Sequence, residues 1–170
     1  VSSQINYAYM LQSEQGGEED LPGARKYYKL AADQGDLIAQ KQYATMLYEG
    51  NGGPIDLPGA RKYFKLAADQ GDMNAHYKYA EILHIGQGGE KDLPGAREYY
   101  KLAADQGNME AQINYAYILE TGQGGEEDLP GAREYYKLAA DQGFSEAQRK
   151  YAEILHSGQG GEKDLPGARK

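Results

Sequence analysis

The 170-residue chain has no cysteine and no tryptophan, and only two phenylalanines and six prolines. The lack of cysteine excludes disulfide staples, thiolate metal sites and cysteine nucleophiles. No apolar run is long enough to cross a bilayer as a helix, so direct membrane insertion is not expected. Cationic charge is short as well. There are 18 Lys and Arg against 26 Asp and Glu, a formal net charge of −8. That balance argues against nucleic acid or an anionic membrane surface as a partner, because both need a basic footprint. Serine is sparse and histidine numbers three, so no Ser-His-Asp set can be assembled. No signal peptide is visible. The chain opens at Val1 in mid-pattern and stops at Lys170. It reads as a soluble piece of a longer array, with its compartment unspecified.

What is abundant is repetition. The string "DLPGAREYYKLAADQG" at 128–143 recurs, nearly unchanged, from Asp20, Asp56 and Asp92, and begins again at Asp164. The spacing is 36 residues throughout, with no insertion or deletion. A period of this size is the signature of a solenoid, in which each unit buries its apolar face on its neighbours.

We number the unit 1 to 36 so that its Asp is position 20. The first half, for example "MEAQINYAYILETG" at 109–122, has helical periodicity. Position 7 is Tyr in every copy, from Tyr7 to Tyr151, position 8 is Ala and position 11 is Leu. With position 3, these residues share one face at 3.6 residues per turn and form the expected packing surface. The second half starts at the Asp, a good N-cap, and Pro22, Pro58, Pro94, Pro130 and Pro166 follow in the first turn. Ala24, Tyr27, Tyr28 and Ala31, with their equivalents, form this helix's apolar stripe. Gly35, Gly71, Gly107 and Gly143 suit the left-handed residue that ends a helix. Asp36, Asp72 and Asn108 can cap the next helix at once, whereas Phe144 breaks that pattern. Between the two helices lies a Gly-rich polar loop such as "GQGGEKD".

Ala at position 3, Tyr-Ala at 7 and 8, Leu at 11, then Gly-x-Gly, Asp, Ala, Tyr-Tyr, Ala-Ala and Gln-Gly resemble the Sel1-like repeat (SLR) family. These repeats are α-solenoid relatives of the tetratricopeptide repeat. The resemblance covers essentially the whole chain. It implies an all-α, right-handed α-solenoid superhelix of antiparallel helix pairs. The array is single, over 1–170, with repeats at 1–36, 37–72, 73–108 and 109–144 and a partial one at 145–170. One departure recurs: Gly17, Gly53, Gly89, Gly125 and Gly161 stand where the family has an apolar residue. Leu21, Leu57, Leu93 and Leu129 are expected to fill that space. Glu14 also replaces the loop Gly found at Gly50, Gly86, Gly122 and Gly158. These loops are therefore expected to be more mobile than is usual for the family.

The resemblance further implies a non-catalytic adaptor, with no cofactor, that assembles protein complexes on a concave surface lined by the first helices. Positions 5, 9 and 12 lie roughly opposite the constant face and change from unit to unit. Position 5 is Ile5, Lys41, Tyr77, Ile113 and Arg149. Position 9 is Tyr9, Thr45, Glu81, Tyr117 and Glu153. Position 12 is Gln12, Tyr48, His84, Glu120 and His156. Tyrosine beside charge suits protein recognition, since it offers contact area with few rotors to freeze. A protein or peptide bound in this groove is the leading expectation. The alternative is an architectural or engineered consensus array that self-associates end to end, because units three and five are nearly identical over "KYAEILH" and "GQGGEKDLPGAR". The Glu-x-x-His pairs Glu81/His84 and Glu153/His156 lie two units apart and cannot share an ion. One such pair is not a coordination shell.

Overall fold

The computed structural model describes residues 1–13 and 19–169. The expectations placed on Glu14 and Gly17 lie outside the described residues. All regular structure among the described residues is helical, and it falls into two compact units. The first unit, Val1–Lys91, holds α1 (Ser2–Gln12), α2 (Leu21–Ala32), α3 (Leu37–Glu49), α4 (Leu57–Ala68) and α5 (Met73–Ile85). The second, Asp92–Lys170, holds α6 (Leu93–Asp105), α7 (Met109–Thr121), α8 (Leu129–Asp141), α9 (Ser145–Ser157) and a 3-10 turn at Gly167–Arg169. Within each unit every helix packs on the next in the chain.

The boundaries follow from local chemistry. Asp20, Asp56, Asp92 and Asp128 each accept the backbone N–H three residues on, at 2.9 Å, and a proline occupies the first turn of each helix. Asp36, Asp72 and Asn108 cap α3, α5 and α7 in the same way, and Phe144 offers α9 no side-chain bond. Between pairs the chain reverses through a left-handed glycine. Gly35 has φ +87°, its N–H reaches Ala32 O at 3.0 Å, and Asp36 N reaches Ala31 O at 3.3 Å. This is the Schellman arrangement, and it delivers Asp36 straight into its capping role.

The core is built from alanine backed by rings. Ala8, Ala44, Ala80 and Ala116 have no exposed surface, and Leu47, Leu83, Leu119 and Leu155 are buried. Alanine at these positions brings helix backbones close together, so the facing tyrosines interlock. Tyr43–Tyr63 and Tyr115–Tyr135 meet edge to face, with ring centroids 4.8 and 4.7 Å apart. Position 10 belongs to the core too, as Met46, Ile82, Ile118 and Ile154 show. Two expectations need correction. Tyr7 is 46 % exposed although its ring meets Tyr27; among the described residues α1 packs mainly on α2. Ser3 is exposed where the other units bury alanine.

Polar bonds add register to this apolar packing. Gln70 Nε2 donates to Gln40 Oε1 at 2.8 Å and to Gly35 O at 3.0 Å, while Gln40 Nε2 donates to Ala32 O. Gln142, Gln112 and Ala104 repeat the arrangement in the second unit. Tyr63 and Tyr135 donate their hydroxyls to Asp33 and Asp105, each of which also pairs with a lysine one helical turn earlier.

The loop glycines have a different cause from the one expected. A Cβ on Gly53, Gly89, Gly125 or Gly161 would lie 2.4–2.7 Å from the guanidinium of Arg25, Arg61, Arg97 or Arg133. Those arginines, not the leucines, take the space. Arg61, Arg97 and Arg133 each donate to a loop carbonyl 29 residues on, at 2.8–2.9 Å. Arg25 does the same to Pro54 O at 2.9 Å. The described loops are thus tied to the second helix of the preceding repeat rather than left slack.

Candidate functional site

Positions 5, 9 and 12 of the first helices keep some exposure in every copy. On α1, Tyr9 is exposed and Ile5 and Gln12 are half-buried. On α3 and α5 the variable residues meet one another. Thr45, Tyr48 and Glu49 of α3 face Lys78, Glu81, Ile82 and Ile85 of α5 across a cavity of about 180 Å³, with Phe64 of α4 and Gln87 also lining it. Glu81 is held on both oxygens: Tyr77 donates its hydroxyl at 2.9 Å and Lys78 its ammonium at 2.8 Å. Lys78 also stands 5.4 Å from the Tyr77 ring centre. The wall is therefore a preset Tyr-Glu-Lys cluster. His84 lies half-buried on the same helix.

Other candidates have structural duties. Lys41 bridges from α3 to Asp72, the N-cap of α5, at 2.9 Å. Burial alone would raise the Asp72 carboxyl's pKa, but Lys41 and the Ala75 N–H outweigh it and hold it below its ordinary value. The Thr45 hydroxyl donates to Lys41 O at 3.0 Å.

In the second unit, Tyr117 is 45 % exposed and Ile113 half-buried. Glu120 accepts from the Tyr136 hydroxyl at 2.9 Å, and the Lys150 ammonium lies 3.8 Å from the same oxygen. Arg149 and Glu153 pair at 2.8 Å and, with His156, line an open recess beside Leu165 and Ala168. No group of three His, Asp or Glu able to hold a metal occurs among the described residues. No helix among them is long and apolar enough to cross a membrane.

The Sel1 repeat model matches residues 1–36, 37–72, 74–108, 110–144 and 145–170. The chain belongs to the Sel1 repeat family. Solved structures agree with that membership. This Sel1 repeat protein superposes on 99 % of its length, with TM-score 0.92 and 28 % identity, on c5321, a protective antigen present in uropathogenic Escherichia coli strains and displaying an SLR fold. It spans 36 % of that protein's length. It is similar also to a Sel1 repeat protein of Oxalobacter formigenes, at TM-score 0.91 and 27 % identity, covering 99 % of this chain and 69 % of that one. No curated protein matches it significantly. The fold is accordingly the all-α helix-pair solenoid of SLR proteins, a family of generally non-catalytic repeats that commonly act as interaction scaffolds.

Sequence reasoning missed the floor of the α3–α5 cavity in this Sel1 repeat protein. Phe64 sits at position 28, where Tyr28, Tyr100 and Tyr136 stand in the other units. That single departure in an otherwise constant column was the available signal.

Proposed function

We propose that this chain is a non-catalytic scaffold that holds a protein or peptide on the faces of its first helices. One observation carries the reading. Residues that change between units, such as Tyr9, Tyr48, Tyr77 and Tyr117, remain accessible beside a core that does not change. An architecture that fixes one face and frees the other is suited to recognition. Nucleic acid is a poor partner for a chain of net charge −8, and a partner of basic character is a good one. Changing Tyr9, Tyr77 and Tyr117 together to Ala is expected to leave helicity intact and to reduce capture of partner proteins at least about tenfold, since aromatic residues dominate interface energies. Undiminished capture from the same lysate would remove the groove assignment.

The second reading is end-to-end self-association. It is favoured by Tyr7 and Met10, 46 and 44 % exposed where their counterparts Tyr43 and Met46 are 8 and 1 % exposed. An apolar face of this kind can stack heterologously on another copy. Sedimentation velocity should then show a mass that rises with concentration and falls on Tyr7→Lys. A monomer at all concentrations excludes it.

A further inference from the structure

Two positions of the repeat govern whether room opens between successive first helices. In the second unit they are Glu120 at position 12 and Tyr136 at position 28, bonded at 2.9 Å, with Lys150 closing in at 3.8 Å. Polar contacts cross that space. In the first unit the same positions carry Tyr48 and Phe64, and Phe64 has no hydroxyl to donate. Position 9 contributes as well. It is Tyr9, Glu81, Tyr117 or Glu153 elsewhere, but here it is Thr45, the smallest of the set. The result is the cavity of about 180 Å³, floored by Phe64 and walled by Ile82. Ile85 and Tyr48, 64 and 37 % exposed, flank it. A cavity of about 150 Å³ with apolar walls accommodates one benzene ring, so this one has room for a single aromatic side chain.

Its charge is not neutral. Six of its nine lining residues come from the C-terminal halves of α3 and α5, where aligned peptide dipoles leave partial negative charge. The last turn of α3 holds no basic residue to offset this, and the exposed carboxylate of Glu49 adds to it. Glu81, by contrast, is already matched by Lys78. Glu49 accepts from the Asn51 amide at 2.7 Å but pairs with no cation among the described residues, so the negative charge left without a counter-charge lies on the α3 side.

We propose that the Thr45–Phe64–Ile82 cavity is an anchor pocket for one aromatic side chain of a partner peptide, with a neighbouring basic residue meeting Glu49 and the α3 terminus. This rests on the scaffold reading and assigns that surface a ligand chemistry. The probe is a blocked arginine–phenylalanine–arginine tripeptide, titrated into the whole chain while the isoleucine methyl signals are followed by NMR. Saturable shifts are expected at Ile82 and Ile85. Ile154, at the position corresponding to Ile82 in the second unit, should stay still. Replacing the probe's phenylalanine by alanine, or its arginines by glutamates, should weaken binding at least about fivefold. Thr45→Tyr should abolish the shifts by filling the pocket, and Phe64→Tyr should reduce them. Both variants carry residues that other units already hold at those positions, so the fold is expected to survive, as circular dichroism would show. Unmoved Ile82 and Ile85, equal binding by folded Thr45→Tyr, or preference for the glutamate-flanked probe would each overturn the pocket. Loss of partner capture in the triple-tyrosine variant alongside a silent cavity would reject the pocket and leave the scaffold reading standing.

Discussion

Gly124→Ala is expected to destabilise the second unit by about 3 kcal/mol or more, and Gly107→Ala by only about 1–2 kcal/mol. Both glycines have positive φ, +71° and +96°, so both substitutions meet left-handed backbone strain. The difference lies in what the new methyl touches. At Gly107 nothing stands within 4 Å of it. At Gly124 it would lie 2.3 Å from Leu93 O and 2.5 Å from Leu93 C, which are backbone atoms at the start of α6. A side chain can swing away from such a clash, but a helix terminus cannot. The loop must lift, and lifting it stretches the Arg97 bond to Glu126 O. Overpacking of this kind adds roughly 1–3 kcal/mol to the strain. Urea denaturation followed by helicity, with hydrogen exchange resolved over α6 and α7, separates the two variants. Equal losses for both would show that the close approach is not what demands glycine.

Alkaline pH should weaken the fold steeply. Tyr63 and Tyr136 are almost fully buried, at 6 and 1 % exposure. Burial first, and then the bond to Asp33 or Glu120, push each phenol well above its ordinary value of 10.0. Below pH 10 both folded and unfolded states keep the phenols protonated, and the stabilisation is fully present. Above it the unfolded chain ionises while the folded chain resists, so stability falls by about 1.4 kcal/mol per pH unit for each phenol. The loss continues until the raised folded values are reached. Two phenols give about 3 kcal/mol by pH 11. Tyr136→Phe should remove one phenol's share of the slope, and Phe64 already occupies the corresponding position of another unit. The bond to Asp33 also raises the Lys29 ammonium above its ordinary value. The change of slope in the Phe variant is what isolates the phenol. An unchanged slope in Tyr136→Phe would contradict the assignment.

Much of this was legible in the repeat. The Asp caps, the proline in the first turn and the glycine that ends each second helix are local devices, set within four or five residues. Periodicity alone picked out Ala8, Leu47 and Tyr43 as packing residues. What escaped were pairings between residues about 30 positions apart. Nothing in the helical pattern joins Gln40 to Gln70, yet Gln40 is buried and Gln70 bonds to it. Gly53 looked like a missing apolar plug, and only the position of Arg25 explains it. Exposure at positions 5, 9 and 12 was readable from helical phase. That Tyr48 and Glu81 share a cavity depends on how α3 faces α5 over Phe64, which no single helix encodes.

The bonds that join one repeat to the next have fixed stride: 29 residues for Arg61 to Glu90 O, 30 for Tyr63 to Asp33 and for Gln70 to Gln40. Where the pattern repeats, as at Gln142 to Gln112 and Tyr135 to Asp105, the offset is the same. Gene duplication or loss in whole 36-residue steps keeps these offsets, whereas a single-codon slip breaks those that span it. Such a molecule can grow or shrink by quanta without redesign, and its length is free to vary while its cross-section is not.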